Sequence, residues 1–149
     1  MLKGISPLLN ADVLFALRAM GHGDDLVIVD TNFPAESIAR QTSLGRLLRI
    51  DNVSAAEAAA AVLSVYPLDT FVDDAAARME VVGKPDEIMP VQEEVQRVVN
   101  VAEGRHWPLV GIERYAFYER AKQAFCVIQT GERRFYGCFA FRKGVIPPD

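Results

Sequence analysis

The chain is predicted to be an α/β protein in which a mixed β-sheet is covered by helices on both faces. Two observations carry that expectation. Apolar runs of strand length alternate with segments whose apolar residues recur at helical spacing. Half of the 149 residues are hydrophobic, enough for one real core in a chain of single-domain length, and residues 1–149 read as one domain without an internal repeat or a low-complexity linker.

The elements follow in order. Val13, Leu14, Leu17 and Met20 lie at helical spacing behind Asn10, a good N-cap, and Gly21 follows as a stop, so residues 11–20 form a helix. Gly21-His22-Gly23-Asp24 is a turn, and Leu26-Val27-Ile28-Val29 is a buried strand ending at Asp30. A second strand is expected over Leu47-Leu48-Arg49-Ile50. Ser54 and Glu57 then make a capping box ahead of an alanine-rich helix that ends near Tyr66-Pro67. Residues 77–82 are read as another strand. Pro90 opens a helix carried by Val91, Val95, Val98, Val99 and Ala102 and closed by Gly104. Leu109 to Ile112 reads as a strand and Arg114 to Gln123 as a helix. Last, residues 125–130 and 135–141 flank Gly131-Glu132-Arg133-Arg134 with the length and composition of a β-hairpin.

Composition removes several function classes. The net charge of −4 is spread along the chain, which lacks the basic footprint of a nucleic-acid or anionic-membrane binder. Pro7, Asp12 and Arg18 interrupt the first 20 residues, leaving no apolar stretch for a signal peptide or membrane span, and a cytoplasmic location is expected. The two cysteines, Cys126 and Cys138, form no CxxC pair and are expected to be reduced and buried, although a hairpin would bring them near each other. A zinc site drawn from His22, His106, Cys126 and Cys138 fits no standard ligand spacing.

Five residues stand out as candidates for chemistry. His22 sits between two glycines, where a side chain can face a cleft, and an imidazole is suited to proton transfer near neutrality. The competing reading is an idle surface histidine. Asp30 ends an apolar strand, where open α/β sheets place ligand groups and where a carboxylate can accept hydroxyl hydrogen bonds; it is equally a turn residue by position. Arg114 and Tyr118 are four apart on one helix face, yet Tyr115, Phe117 and Tyr118 also suit a core or an interface. Tyr136, just after the expected hairpin loop, suits either a sugar contact or strand packing.

Taken together, the segments MLKGISPL, Gly21-His22-Gly23-Asp24, Asp30, Asn32-Phe33-Pro34-Ala35, the run RYAFYER from Arg114 to Arg120, Thr130-Gly131-Glu132-Arg133, Tyr136-Gly137 and Lys143-Gly144-Val145 resemble the L-fucose mutarotase and D-ribose pyranase family, the fucose branch most closely. The resemblance spans nearly the whole chain, and residues 40–105 match mainly in element order. It implies a three-layer α/β/α sandwich that interconverts the anomers of a free aldose such as L-fucose without metal or organic cofactor. Matched residue by residue, it places the catalytic histidine on His22 and sugar contacts on Asp30, Arg114, Tyr118 and Tyr136. It also implies a homo-oligomer with sites near subunit boundaries. One departure is visible: family members commonly read Tyr-Gly-Asn or Tyr-Ala-Asn where this chain has Tyr136-Gly137-Cys138, and a thiol is a poor substitute for an amide in hydrogen bonding.

Mutarotation suits such a residue set, because it needs one proton removed from the anomeric hydroxyl and another delivered to the ring oxygen. On this reading His22 donates to the ring oxygen, Asp30 orients the sugar or His22, and the arginine and tyrosines hold hydroxyls. Two other classes compete: a monosaccharide-binding protein without turnover, accessory to transport or sensing, and a phosphohistidine carrier using His22. The second lacks a phosphate-cradling glycine loop beside the histidine.

Overall fold

A computed structural model, describing residues 1–148, shows five helices around one six-stranded sheet. Along the chain these are α1 (Ala11–Ala19), β1 (Asp25–Val29), α2 (Ala35–Ala39), β2 (Leu48–Ile50), α3 (Ala55–Leu63), β3 (Ala76–Met79), α4 (Pro90–Glu103), β4 (Val110–Ile112), α5 (Arg114–Gln123), β5 (Cys126–Thr130) and β6 (Phe139–Arg142). The sheet order is β2-β5-β1-β6-β3-β4. β1 is parallel to β5, β5 to β2 and β3 to β4, while β6 runs antiparallel to both β1 and β3. Five strands therefore share one direction, and their carboxyl ends lie along one edge.

Local chemistry sets the element ends. The Asn10 side chain accepts the Val13 N–H and Ser54 closes a capping box with Glu57, satisfying the first amides of α1 and α3. Pro90 occupies the first turn of α4, and Gly104 ends that helix in the left-handed conformation, φ 67°. The Glu113 carboxylate caps α5 through the Tyr115 and Ala116 amides, fixing the direction in which Arg114 and Tyr118 leave the helix.

Strand alternation divides the core. Leu26, Ile28, Ile128, Phe139 and Phe141 pack on one face beneath α1, α3 and α4, while Val27, Val29, Val127, Ala77 and Ala140 meet α2 and α5 on the other. This is the three-layer α/β/α sandwich. β1 is buried on both faces, which explains its uninterrupted apolar sequence.

The expected C-terminal hairpin is not formed. β5 and β6 never pair, because β1 lies between them, parallel to one and antiparallel to the other. With that correction the cysteines part company: Cys126 belongs to the α1/α3/α4 core and Cys138 to the α2/α5 core, on opposite faces of the sheet, and both thiols are free. Strand β3 ends at Met79 rather than at residue 82, since Val81 and Lys84 close a turn immediately afterwards. The short helix α2, five residues behind Pro34, carried no signal in the sequence.

Candidate active site

Asp30, Arg114, Tyr118 and Tyr136 are brought together in a cleft of about 340 Å³ at the carboxyl edge of the parallel strands, with Asn32, Phe33, Met79, Phe135 and Cys138 completing its lining. That volume falls within the range of small-molecule sites. Asp30 follows β1, Met79 ends β3, Arg114 follows β4 and Cys138 precedes β6, so the ends of four of the six strands converge here. A larger groove of about 460 Å³ lies between α3 and α4, but its Ala60, Val98, Val101 and Ala102 walls offer few groups for a polyhydroxylated ligand.

The Asp30 carboxylate is 3% exposed and held by four donors. Oδ1 accepts the Asn32 and Phe33 amides at 2.9 and 3.0 Å; Oδ2 accepts the Gly137 amide at 3.1 Å and the Cys138 thiol at 3.5 Å. Burial pushes the acid upward, and the Asn32 amide, the thiol and the other two amides partly offset it. Gly137 is required at this spot: a Cβ there would meet Glu132 Cγ at 2.8 Å, so only glycine lets the loop close onto Asp30.

Arg114 Nε donates to the Tyr118 hydroxyl at 3.0 Å, and the guanidinium lies 5.5 and 5.6 Å from the Tyr118 and Tyr115 ring centres. With one lone pair filled by Arg114, the Tyr118 O–H proton remains free to enter the cleft. Phe33 braces the Tyr118 ring edge-on at 5.4 Å. Tyr136 adopts a left-handed backbone, φ 61°, a costly conformation for a bulky residue. Three hydrogen bonds hold the turn there: the Tyr136 hydroxyl accepts the Val82 amide, its carbonyl accepts Gln92 Nε2, and Arg134 and Glu132 pair just before it. Gln92, 1% exposed, also donates to the Met79 carbonyl at 2.8 Å, tying α4 to the cleft floor. Nothing in the sequence pattern marked Gln92, since it is followed directly by Glu93 and Glu94 on α4.

His22 does not join this cleft within one chain. It precedes β1 whereas Asp30 follows it, and five extended residues at roughly 3.4 Å each separate the two by about 17 Å. Asp30 therefore does not orient His22. That part is played by Asp69, whose Oδ2 lies 3.1 Å from His22 Nε2 and whose Oδ1 accepts the Phe71 amide. Asp69 is 3% exposed; burial raises its carboxyl, and the Phe71 amide and His22 more than reverse this, holding it below the ordinary value. Phe71 lies edge-on to the imidazole at 5.4 Å. With Nε2 directed at Asp69, Nδ1 is the ring nitrogen left free to exchange a proton, an acceptor when it is bare and a donor when it carries hydrogen. No signal in the sequence marked Asp69, which lies in the loop between α3 and β3, seven residues before that strand begins.

Among the described residues no group of three or more histidine, cysteine, aspartate or glutamate side chains is arranged to hold a metal, and Cys126 and Cys138 lie on opposite faces of the sheet. Nor is any described helix long and apolar enough to cross a membrane.

Fold and cleft define a three-layer α/β/α protein with a polar-lined cleft at the carboxyl edge of its sheet. The chain belongs to the RbsD / FucU transport protein family, whose model matches residues 3–146. It is 43% identical over 148 residues to a fucose mutarotase of Homo sapiens, covering 97% of this chain and 94% of the relative. Among solved structures, protein Atu2016 superimposes with a TM-score of 0.97 at 66% identity, covering 99% of this chain and 97% of that one. The fucose mutarotase of Streptococcus pneumoniae, solved in complex with L-fucose, gives a TM-score of 0.87 at 32% identity, covering 98% of this chain and all of that one.

Proposed function

We propose that this protein is a monosaccharide mutarotase that interconverts the α and β anomers of L-fucose or a close aldose by opening and reclosing the ring. The observation that carries this reading is the cleft itself: a charged guanidinium, two phenol hydroxyls and a buried carboxylate converge beside apolar surface, which is the pairing of hydroxyl partners and C–H faces that a sugar requires. Family membership and relatives named for this activity support it. In the reaction, a base takes the anomeric hydroxyl proton while an acid protonates the ring oxygen; the C1–ring oxygen bond breaks, the open aldehyde rotates, and the reverse transfers close the other anomer.

His22 supplies proton transfer in this scheme, oriented by Asp69, and Tyr118 offers a second transferable proton inside the cleft. Because His22 lies at the opposite edge of the sheet, it serves the cleft of a second copy. Two exposed aromatic groups suit such an assembly: Phe71, 72% exposed, flanks His22, and Phe135 and Tyr115, 70% and 68% exposed, flank the cleft. Contacts between these unlike surfaces join copies head to tail, a geometry that closes into a ring. Reduced cysteines suit a cytoplasmic protein.

The test measures sugar affinity and anomer exchange on the same sample, across L-fucose, D-ribose and D-galactose. Saturation-transfer NMR should show exchange accelerated for at least one sugar that binds. Binding without acceleration for any of them would mark the protein as a carrier or sensor.

A further inference from the structure

Asp30 is the enclosed carboxylate of the cleft, and its acceptor capacity is filled. A carboxylate offers about four lone-pair sites. Three are taken by the backbone amides of Asn32, Phe33 and Gly137, which the turn after β1 and the loop before β6 hold in place; the fourth is taken by the Cys138 thiol at 3.5 Å. The thiol is the weakest of the four donors and the only one on a rotatable side chain. A sugar hydroxyl that reaches Asp30 must therefore take its place. Cys138 belongs to the same buried apolar cluster as Met79 and Phe33, which line the cleft with it, as does Phe135. Cys138 is 2% exposed, and burial keeps its thiol protonated.

We propose that Cys138 determines sugar specificity: its thiol occupies Asp30 Oδ2 until one sugar hydroxyl displaces it, and the sulfur then faces the neighbouring sugar carbon as an apolar surface, favouring a deoxy aldose over its fully hydroxylated counterpart. The inference rests on the mutarotase reading above. A hydroxyl on that carbon would lose its water against sulfur and aromatic carbon and gain no strong partner. An asparagine at 138 would supply both a donor and an acceptor there. A serine would compete for Asp30 more strongly than the thiol does, since a hydroxyl is the better donor.

The experiment compares L-fucose with L-galactose, which differ by one hydroxyl, in wild type, Cys138→Asn and Cys138→Ser. Wild type should favour L-fucose in kcat/KM by about 10- to 100-fold, the span available to an apolar pocket facing an added hydroxyl. Cys138→Asn should shrink that ratio by about tenfold through KM for L-galactose, and Cys138→Ser should raise KM for both sugars more than it lowers kcat. An independent readout needs no change at position 138. In Cys126→Ala protein, where Cys138 is the remaining thiol, the infrared S–H stretch should move to the free-thiol position on saturation with L-fucose. An unchanged sugar ratio in Cys138→Asn would overturn the specificity role, and a stationary S–H band with L-fucose bound would overturn the displacement. Failure of wild type to exchange any aldose would instead contradict the mutarotase reading, while the S–H band would still report on thiol displacement by bound sugar.

Discussion

His22 and Arg114 divide the proposed chemistry, and the division is measurable. A proton donor acts as the C1–ring oxygen bond breaks, so its loss falls on the transition state, whereas a hydroxyl contact acts in ground and transition states alike. His22→Ala should cost about 100-fold or more in exchange rate with little change in affinity. Arg114→Ala should weaken sugar binding by about tenfold or more, since it removes a charged donor to sugar hydroxyls and releases Tyr118. Line-shape analysis and isothermal titration on both variants separate the two outcomes. A His22→Ala protein that exchanges anomers at the wild-type rate but no longer binds sugar would make His22 a ligand contact. The proton donor would then be sought at Tyr118. At this scale strand ends and i,i+4 spacing are local signals, and they singled out Asp30, Arg114 and Tyr118, which the fold brings into one cleft. They did not identify Asp69 or Gln92, whose importance comes from what folding brings to them over 47 and 44 positions of sequence, from His22 and Tyr136 respectively.

Among the elements, the loop between β5 and β6 holds Tyr136 and Cys138 in place, and Glu132 anchors it. That carboxylate, 4% exposed, accepts from Arg134, from the Ala55 amide at the start of α3, and lies on a loop whose Glu132 carbonyl accepts the Thr31 amide. The bond to Arg134 is the chief reason its carboxyl is held down at about 2, against an ordinary 4.5. A carboxyl depressed in the folded state stabilises it above the ordinary value, and that contribution disappears as pH falls from about 4.5 to about 2. Glu132→Gln should therefore cost about 1–2 kcal/mol at pH 7, discounted for the half-exposed Arg134, and the difference from wild type should close near pH 2. Urea denaturation at a series of pH values measures this. Gly144 is a second fixed point, because a Cβ there would collide with the Leu68 carbonyl just before Asp69. Gly144→Ala should lower stability by about 1–3 kcal/mol, read from the same denaturation curves. The helices of eight or more residues were legible from caps and periodicity. The hairpin was misread because adjacency in sequence was taken for adjacency in the sheet, yet Cys126–Ile128 and Phe139–Phe141 are buried on both faces, a pattern of interior strands.

For the whole molecule, the sheet's polarity explains both what the sequence revealed and what it concealed. His22 and Asp30 are eight residues apart and look like one site, but an extended strand between them carries their side chains to opposite edges. If the cleft is completed by His22 from another copy, His22→Ala and Arg114→Ala proteins, each impaired at sub-saturating sugar, should regain activity under that condition when mixed and allowed to exchange subunits. Random exchange leaves a minority of sites with both residues intact, so recovery of up to about a quarter of the wild-type rate is expected by symmetry of the shared interface. Mixtures that stay impaired while native mass spectrometry shows mixed assemblies would confine each site to a single chain.

The most direct test of the proposed activity is saturation transfer between the α and β C1 protons of L-fucose in the presence of catalytic amounts of the purified protein. The predicted result is transfer that rises in proportion to protein concentration and falls by about 100-fold in His22→Ala. Transfer no faster than in buffer, for L-fucose and for every other aldose that binds, would contradict it.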